Sequence, residues 1–130
     1  MRLLLLACAG GAVGSGARYL TYVGVGRWVG VASPYAAAFA TLLVNVVGSF
    51  LMGLVIEAIA VRFAGSLEMR TLLATGFLGG FTTFSAFSMD FAHMMQRGEA
   101  AYAIAYVLAS VLVSLLAIYA GLATARMLLT

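Results

Sequence analysis

The chain has 130 residues, 65% of them hydrophobic and only 8% charged, which excludes a soluble domain and places it among integral membrane proteins. Its net charge of +3 comes from seven arginines, no lysine and four acids, scattered over helix ends and short connections. Nucleic-acid binding needs basic residues gathered into a patch, so that class is excluded too.

Four segments reach the spanning length of about 20 residues. They run from Leu3 to Val23, Tyr35 to Ile56, Thr71 to Met89 and Ala100 to Ala125. Little chain remains outside them, so the expectation over residues 1–130 is a single all-α domain of four transmembrane helices. Arg2, Leu3 to Leu6 and Ala7-Cys8 faintly resemble a lipoprotein cleavage site. The apolar run before Cys8 is shorter than a signal peptide needs, and apolar residues continue past it. The first span is therefore expected to start there, with Cys8 a small core residue.

In the first span Gly10 and Gly14 match the GxxxG spacing of closely packed membrane helices. Arg18, near the far end, has two readings: it snorkels to the headgroups, or it sets a fixed positive charge at an anion entrance. Trp28, Tyr22 and Tyr35 flank the first connection as interfacial aromatics.

In the second span Thr41, Asn45, Ser49 and Gly53 recur every four residues on one helical face. Ser49 and Gly53 read as a small-residue packing face. Asn45 fits that less well, because an amide at bilayer depth is costly unless paired; it marks either a solute path or interhelical glue.

The third span holds Gly76 to Phe87, where three glycines and two adjacent threonines make a poor unbroken helix. Irregular backbone at that depth survives only when buried in protein or lining a cavity, so a break is expected there, with Phe84 and Phe87 on one face of the resumed helix. Asp90 is expected to close this span, facing a vestibule or pairing with an arginine. The fourth span repeats a hydroxyl every turn at Tyr106, Ser110 and Ser114, a polar stripe about 12 Å long at about 1.5 Å per residue. No second histidine or cysteine cluster exists for a transition-metal site, and no nucleophile–base set, phosphate loop or dinucleotide fingerprint appears, so an enzyme is not expected.

With four spans, Arg2, Arg62, Arg70 and Arg126 fall on one side, and Arg27, Arg97 and Arg18 on the other. Such an even split barely biases orientation. It reads either as a weak N-in signal or as insertion both ways with head-to-tail pairing, which would supply the inverted repeat found within larger transporters.

Three motifs carry a family resemblance: Gly-Gly-Ala-Val-Gly-Ser-Gly-Ala-Arg-Tyr (10–19), Thr-Leu-Leu-Val-Asn-Val-Val-Gly-Ser-Phe (41–50) and Gly-Phe-Leu-Gly-Gly-Phe-Thr-Thr-Phe-Ser-Ala-Phe-Ser (76–88). In this order and over all four spans, the chain resembles the CrcB/Fluc fluoride channels. The resemblance implies an antiparallel, dual-topology homodimer in the cell inner membrane, with two pores that let fluoride leave the cytoplasm passively. It implies Phe84 and Phe87 as pore phenylalanines, with Ser85 in the same set, Asn45 as the pore amide and Thr41 one turn away. The polar track maps onto Tyr106, Ser110 and Ser114, and the vestibule onto Arg18 and Asp90. It further implies a structural sodium ion at the dimer centre on the main-chain carbonyls of Gly79 and Thr82. Two positions depart from the family pattern: Asp90 stands where glutamate is usual, and Ala86 where threonine is usual. Two other classes stay open from the residues alone. A small four-helix drug/proton antiporter would have only Glu57 and Asp90, both at span ends, to carry its proton. A membrane scaffold subunit would explain the glycines but not Asn45 with the hydroxyl stripes.

Overall fold

The computed structural model describes residues 1–30 and 32–129. It is helical throughout, with α1 (Arg2–Val29), α2 (Ala36–Arg62), a third span from Leu67 to Gln96, and α6 (Ala100–Leu129). The third span is composite: α3 (Leu67–Met69), a π-helical segment (Arg70–Leu78), α4 (Gly79–Phe81) and α5 (Phe84–Gln96). All four spans are long and apolar enough to cross a bilayer, making this a multi-pass membrane protein.

Each helix outruns the apolar window read from the sequence. Apolar composition measures only the hydrocarbon layer, about 20 residues deep, whereas helical hydrogen bonding continues into the headgroups. The added turns carry charge: Arg27 ends α1, and Glu57 of α2 pairs with Arg126 of α6 at 3.0 Å. Asp90 therefore does not close the third span, because α5 runs on to Gln96.

Packing is set by glycines at two crossings. Where α1 meets the π segment, a methyl at Gly10 would strike the Leu72 carbonyl oxygen and one at Gly14 the Phe77 carbonyl oxygen. Where α2 meets α6, a methyl at Gly53 would strike the Ile118 carbonyl oxygen, and one at Gly121 that of Phe50. Backbone thus lies against backbone, as small residues permit in the absence of a hydrophobic drive between helices. In the π segment hydrogen bonds reach five residues back rather than four, as from the Gly79 N–H to the Ala74 carbonyl. Nothing in the apolar pattern signals this register.

Interfacial aromatics divide. Trp28 is 79% exposed against Phe39, and Tyr35 holds the Arg97 guanidinium over its ring at 5.5 Å. Tyr22 instead turns inward, its hydroxyl bonded to that of Thr41. Cys8 is exposed rather than a core residue, because α1 turns its glycine face, not Cys8, toward the π segment.

Candidate functional site

Thr82 (φ −79°, ψ 160°) and Thr83 (φ −153°, ψ 124°) are extended between α4 and α5. Backbone groups released there at bilayer depth need partners, and three elements supply them. The Thr83 hydroxyl accepts the Ala86 N–H at 3.2 Å, capping α5. From α2, Asn45 Oδ1 accepts the Thr83 N–H at 2.8 Å while its Nδ2 donates to the Thr83 carbonyl at 3.0 Å. From α1, Arg18 Nη1 donates to the Thr82 carbonyl at 3.1 Å.

Arg18 therefore does not snorkel. With α1 extended to Val29, it lies about three turns before the helix end, opposite the middle of the third span. The Ser85 hydroxyl lies 3.3 Å from that of Thr83.

Against the extended residues lies a groove of about 460 Å³ between α2, α5 and α6. Asn45 and Ser49 of α2, Phe84 and Phe87 of α5, and Ser110 and Ser114 of α6 line it. The two phenylalanine rings are 5.4 Å apart at 42°, and Phe84 is 78% exposed although it sits at bilayer depth.

The serines differ from the other hydroxyls of the spans. Thr21, Thr71, Ser88 and Thr124 each donate to the carbonyl four residues back, at 2.8–3.0 Å. That local bond is the usual resting place of a hydroxyl on a membrane helix. Ser110 Oγ and Ser114 Oγ are buried and have no hydrogen-bond partner among the described residues. Leaving a buried donor unmade costs about 1–3 kcal/mol, and these two lie one turn apart on the helix that lines the groove.

A second cluster sits beside the groove rather than in it. Thr41 is 0% exposed and does not line the groove. Asp90, 9% exposed, accepts from Thr41 Oγ1 at 2.7 Å and from the Tyr106 hydroxyl at 3.2 Å. The single Thr41 proton has the Asp90 oxygen and the Ala37 carbonyl, at 3.0 Å, to choose from, so Tyr22 is the donor in its bond to Thr41. No arginine lies within ion-pair distance of Asp90 among the described residues. The cluster touches the groove through the Tyr106 ring, 5.3 Å from that of Phe87.

The structure thus brings Asn45, Phe84, Phe87, Ser110 and Ser114 around one space, and sets Thr41, Tyr106 and Asp90 behind it. Sequence reasoning missed three residues, the first being Thr83, which caps α5, pairs with Asn45 and lies in the Gly76 to Phe87 motif. Ser49, read as packing, lines the groove; its spacing of four from Asn45 was the available signal. Tyr22 left no signal, since nothing local distinguishes an inward tyrosine from an interfacial one.

For an alkali cation the chemistry at the break is main-chain carbonyl. The Gly79 carbonyl has lost its α-helical donor, the Thr83 N–H, to Asn45. The Thr82 carbonyl accepts one bond from Arg18 and keeps a second lone pair. These two oxygens fit such an ion in kind.

Comparison with known proteins agrees with the motifs. Residues 5–122 match the family model described as CrcB-like protein, Camphor Resistance (CrcB). A protein of Chelativorans sp. strain BNC1 is 55% identical over 97% of this chain and 98% of its own. One from Agrobacterium fabrum is 48% identical over 95% of each chain, and one from Rhodospirillum centenum 48% over 97% of each. All three carry the name fluoride-specific ion channel FluC. With a family model matched over nearly its whole length and relatives this similar end to end, the chain belongs to the CrcB-like family.

Proposed function

We propose that this protein is a fluoride-selective channel, not an enzyme, that lets fluoride leave the cytoplasm passively through the inner membrane. The observation that carries the reading is the pair of buried, unpartnered hydroxyls of Ser110 and Ser114 facing Phe84 and Phe87 across one groove. The names of the relatives point to fluoride as the anion.

A bare anion in a low-dielectric medium meets a cost of tens of kcal/mol, so a dehydrating fluoride must find donors step by step. The serine hydroxyls are free to donate. Asn45, which lines the groove, spends one Nδ2 hydrogen on the Thr83 carbonyl and has a second to donate. Aromatic rings have a positive edge, so Phe84 and Phe87 offer attraction without fixed charge. Successive weak contacts let the ion enter and still leave. Drug/proton exchange finds less support: Glu57 pairs with Arg126 at a span end, and Asp90 is held by Thr41 and Tyr106 outside the groove.

The groove is open along one side, and a second copy of the chain would close it. We read the working unit as an antiparallel homodimer with two pores, inserted both ways because the arginines are nearly balanced. Gly79 and Thr82 of both copies would then hold a sodium ion, which would supply a fixed positive charge where carbonyl dipoles converge.

Two tests follow. Fluoride efflux from liposomes holding only this protein is measured for the parent, Phe84→Ile, Phe87→Ile and Asn45→Asp. Each Phe→Ile variant should slow efflux about tenfold, losing about 1.4 kcal/mol of ring-edge attraction. Asn45→Asp should slow it further, since a like charge repels the ion at close range. Parental flux in all three would place the pore elsewhere. For topology, with the sole cysteine removed (Cys8→Ser), Arg97→Cys should react with impermeant reagent from both sides of the membrane. Labelling from one side alone, in an active protein, sinks dual insertion.

A further inference from the structure

The Asn45 amide pairs with Thr83 as one peptide group pairs with another, accepting its N–H at 2.8 Å and donating to its carbonyl at 3.0 Å. In an uninterrupted α-helix that N–H would bond to the carbonyl four residues back, that of Gly79. Gly79 is itself helical, with φ −64° and ψ −35°. The preceding rung, from the Thr82 N–H to the Leu78 carbonyl, is intact at 3.0 Å. The ladder stops at the rung where Asn45 intervenes.

Several neighbouring carbonyls have side-chain donors. Ser15 reaches Gly80 with a long bond of 3.5 Å, Arg18 reaches Thr82 and Asn45 reaches Thr83. Among the described residues no side chain donates to the Gly79 carbonyl.

We propose that Asn45 is a positioning residue for the Gly79 carbonyl: by holding the Thr83 N–H it keeps that oxygen open to a cation, so one amide serves both the anion groove and the cation site. The proposal rests on the channel reading above, including its central sodium. Leucine at position 45 has a similar size but no acceptor. The Thr83 N–H would then be buried and unpaired, a costly state, which is relieved if Thr82 and Thr83 leave their extended conformations and the N–H takes its helical acceptor, the Gly79 carbonyl. The helix closes over the break and the oxygen is lost to the ion.

The test reads the carbonyl directly. The sequence has two Gly-Gly pairs, Gly10–Gly11 and Gly79–Gly80. Protein in liposomes, labelled with glycine carrying ¹³C at the carbonyl and ¹⁵N at the amide, gives filtered solid-state NMR signals from the Gly10 and Gly79 carbonyls alone. Gly10, inside α1, marks the hydrogen-bonded helical position. In sodium-free buffer the parental Gly79 signal should lie away from that position and move when sodium is added, while Gly10 stays still. In Asn45→Leu it should lie at the helical position and ignore sodium. Ser114→Ala leaves both Asn45 bonds in place and should behave as the parent at Gly79 although its flux falls. A helical, hydrogen-bonded Gly79 signal in the sodium-free parent overturns the proposal with no variant needed. Parental behaviour in Asn45→Leu overturns it as well. A parental Gly79 signal that is displaced yet indifferent to sodium overturns the coupling to a cation. Absent fluoride flux alongside the expected Gly79 signals overturns the channel reading alone.

Discussion

Replacing both groove serines, Ser110→Ala with Ser114→Ala, is expected to cut fluoride efflux about a hundredfold while leaving the protein no less stable. The two halves of this expectation come from one observation. Neither hydroxyl has a partner among the described residues, so removing them breaks no bond seen there and relieves two buried, unmade donors. A hydrogen bond to a charged group contributes about 1.5–3 kcal/mol. Taking the lower figure for each serine gives about tenfold per hydroxyl. Thr21→Ala with Thr124→Ala is the control, because those hydroxyls bond to their own helices at 3.0 and 2.8 Å and face no groove. Efflux and melting temperature, read on the same preparations, decide it. A double serine variant that melts well below the parent, or conducts as well, would mean the hydroxyls have protein partners and serve packing.

Gly14→Ala is expected to produce the largest structural defect available to one methyl group. Its Cβ would overlap the Phe77 carbonyl oxygen and come within 2.9 Å of the Phe77 carbonyl carbon. A flexible side chain would swing aside; backbone in the π segment cannot. Overpacking costs about 1–3 kcal/mol, and contact with backbone puts this case at the upper end. Because Phe77 lies just before Gly79 and the extended threonines, any shift passes along the third span to the groove. Both melting temperature and flux should fall. Gly16→Ala, two residues along the same helix, has nothing within 4 Å of the new methyl and replaces a residue of low helix propensity. It should leave flux unchanged and stability equal or slightly higher. Equal behaviour of the two variants would mean that α1 and the π segment do not interlock through Gly14.

What the sequence determined by itself was everything carried by composition and by spacing along a single helix. Four apolar stretches required four spans, since burial in lipid selects on composition alone. A spacing of four put Ser110 and Ser114 on one face of α6, because the helical period leaves no alternative. Three ordered motifs sufficed for the family. Relations between helices lay beyond it. Thr41 shares a face with Asn45, yet it bonds to Asp90 behind the groove while Asn45 lines the groove and bonds to Thr83, because the two meet the third span at different heights. A periodicity gives the direction of a side chain from its own axis and says nothing of which neighbour it meets. Arg18 looked like a boundary residue until helix length moved the boundary, and its partner, the Thr82 carbonyl, is sixty-four positions away in the chain. The π segment was equally silent, since α and π registers use the same residues and differ only in which carbonyl each N–H selects. Here the tertiary structure decided, through carbonyl oxygens seated against Gly10 and Gly14 and a Thr83 N–H claimed by Asn45.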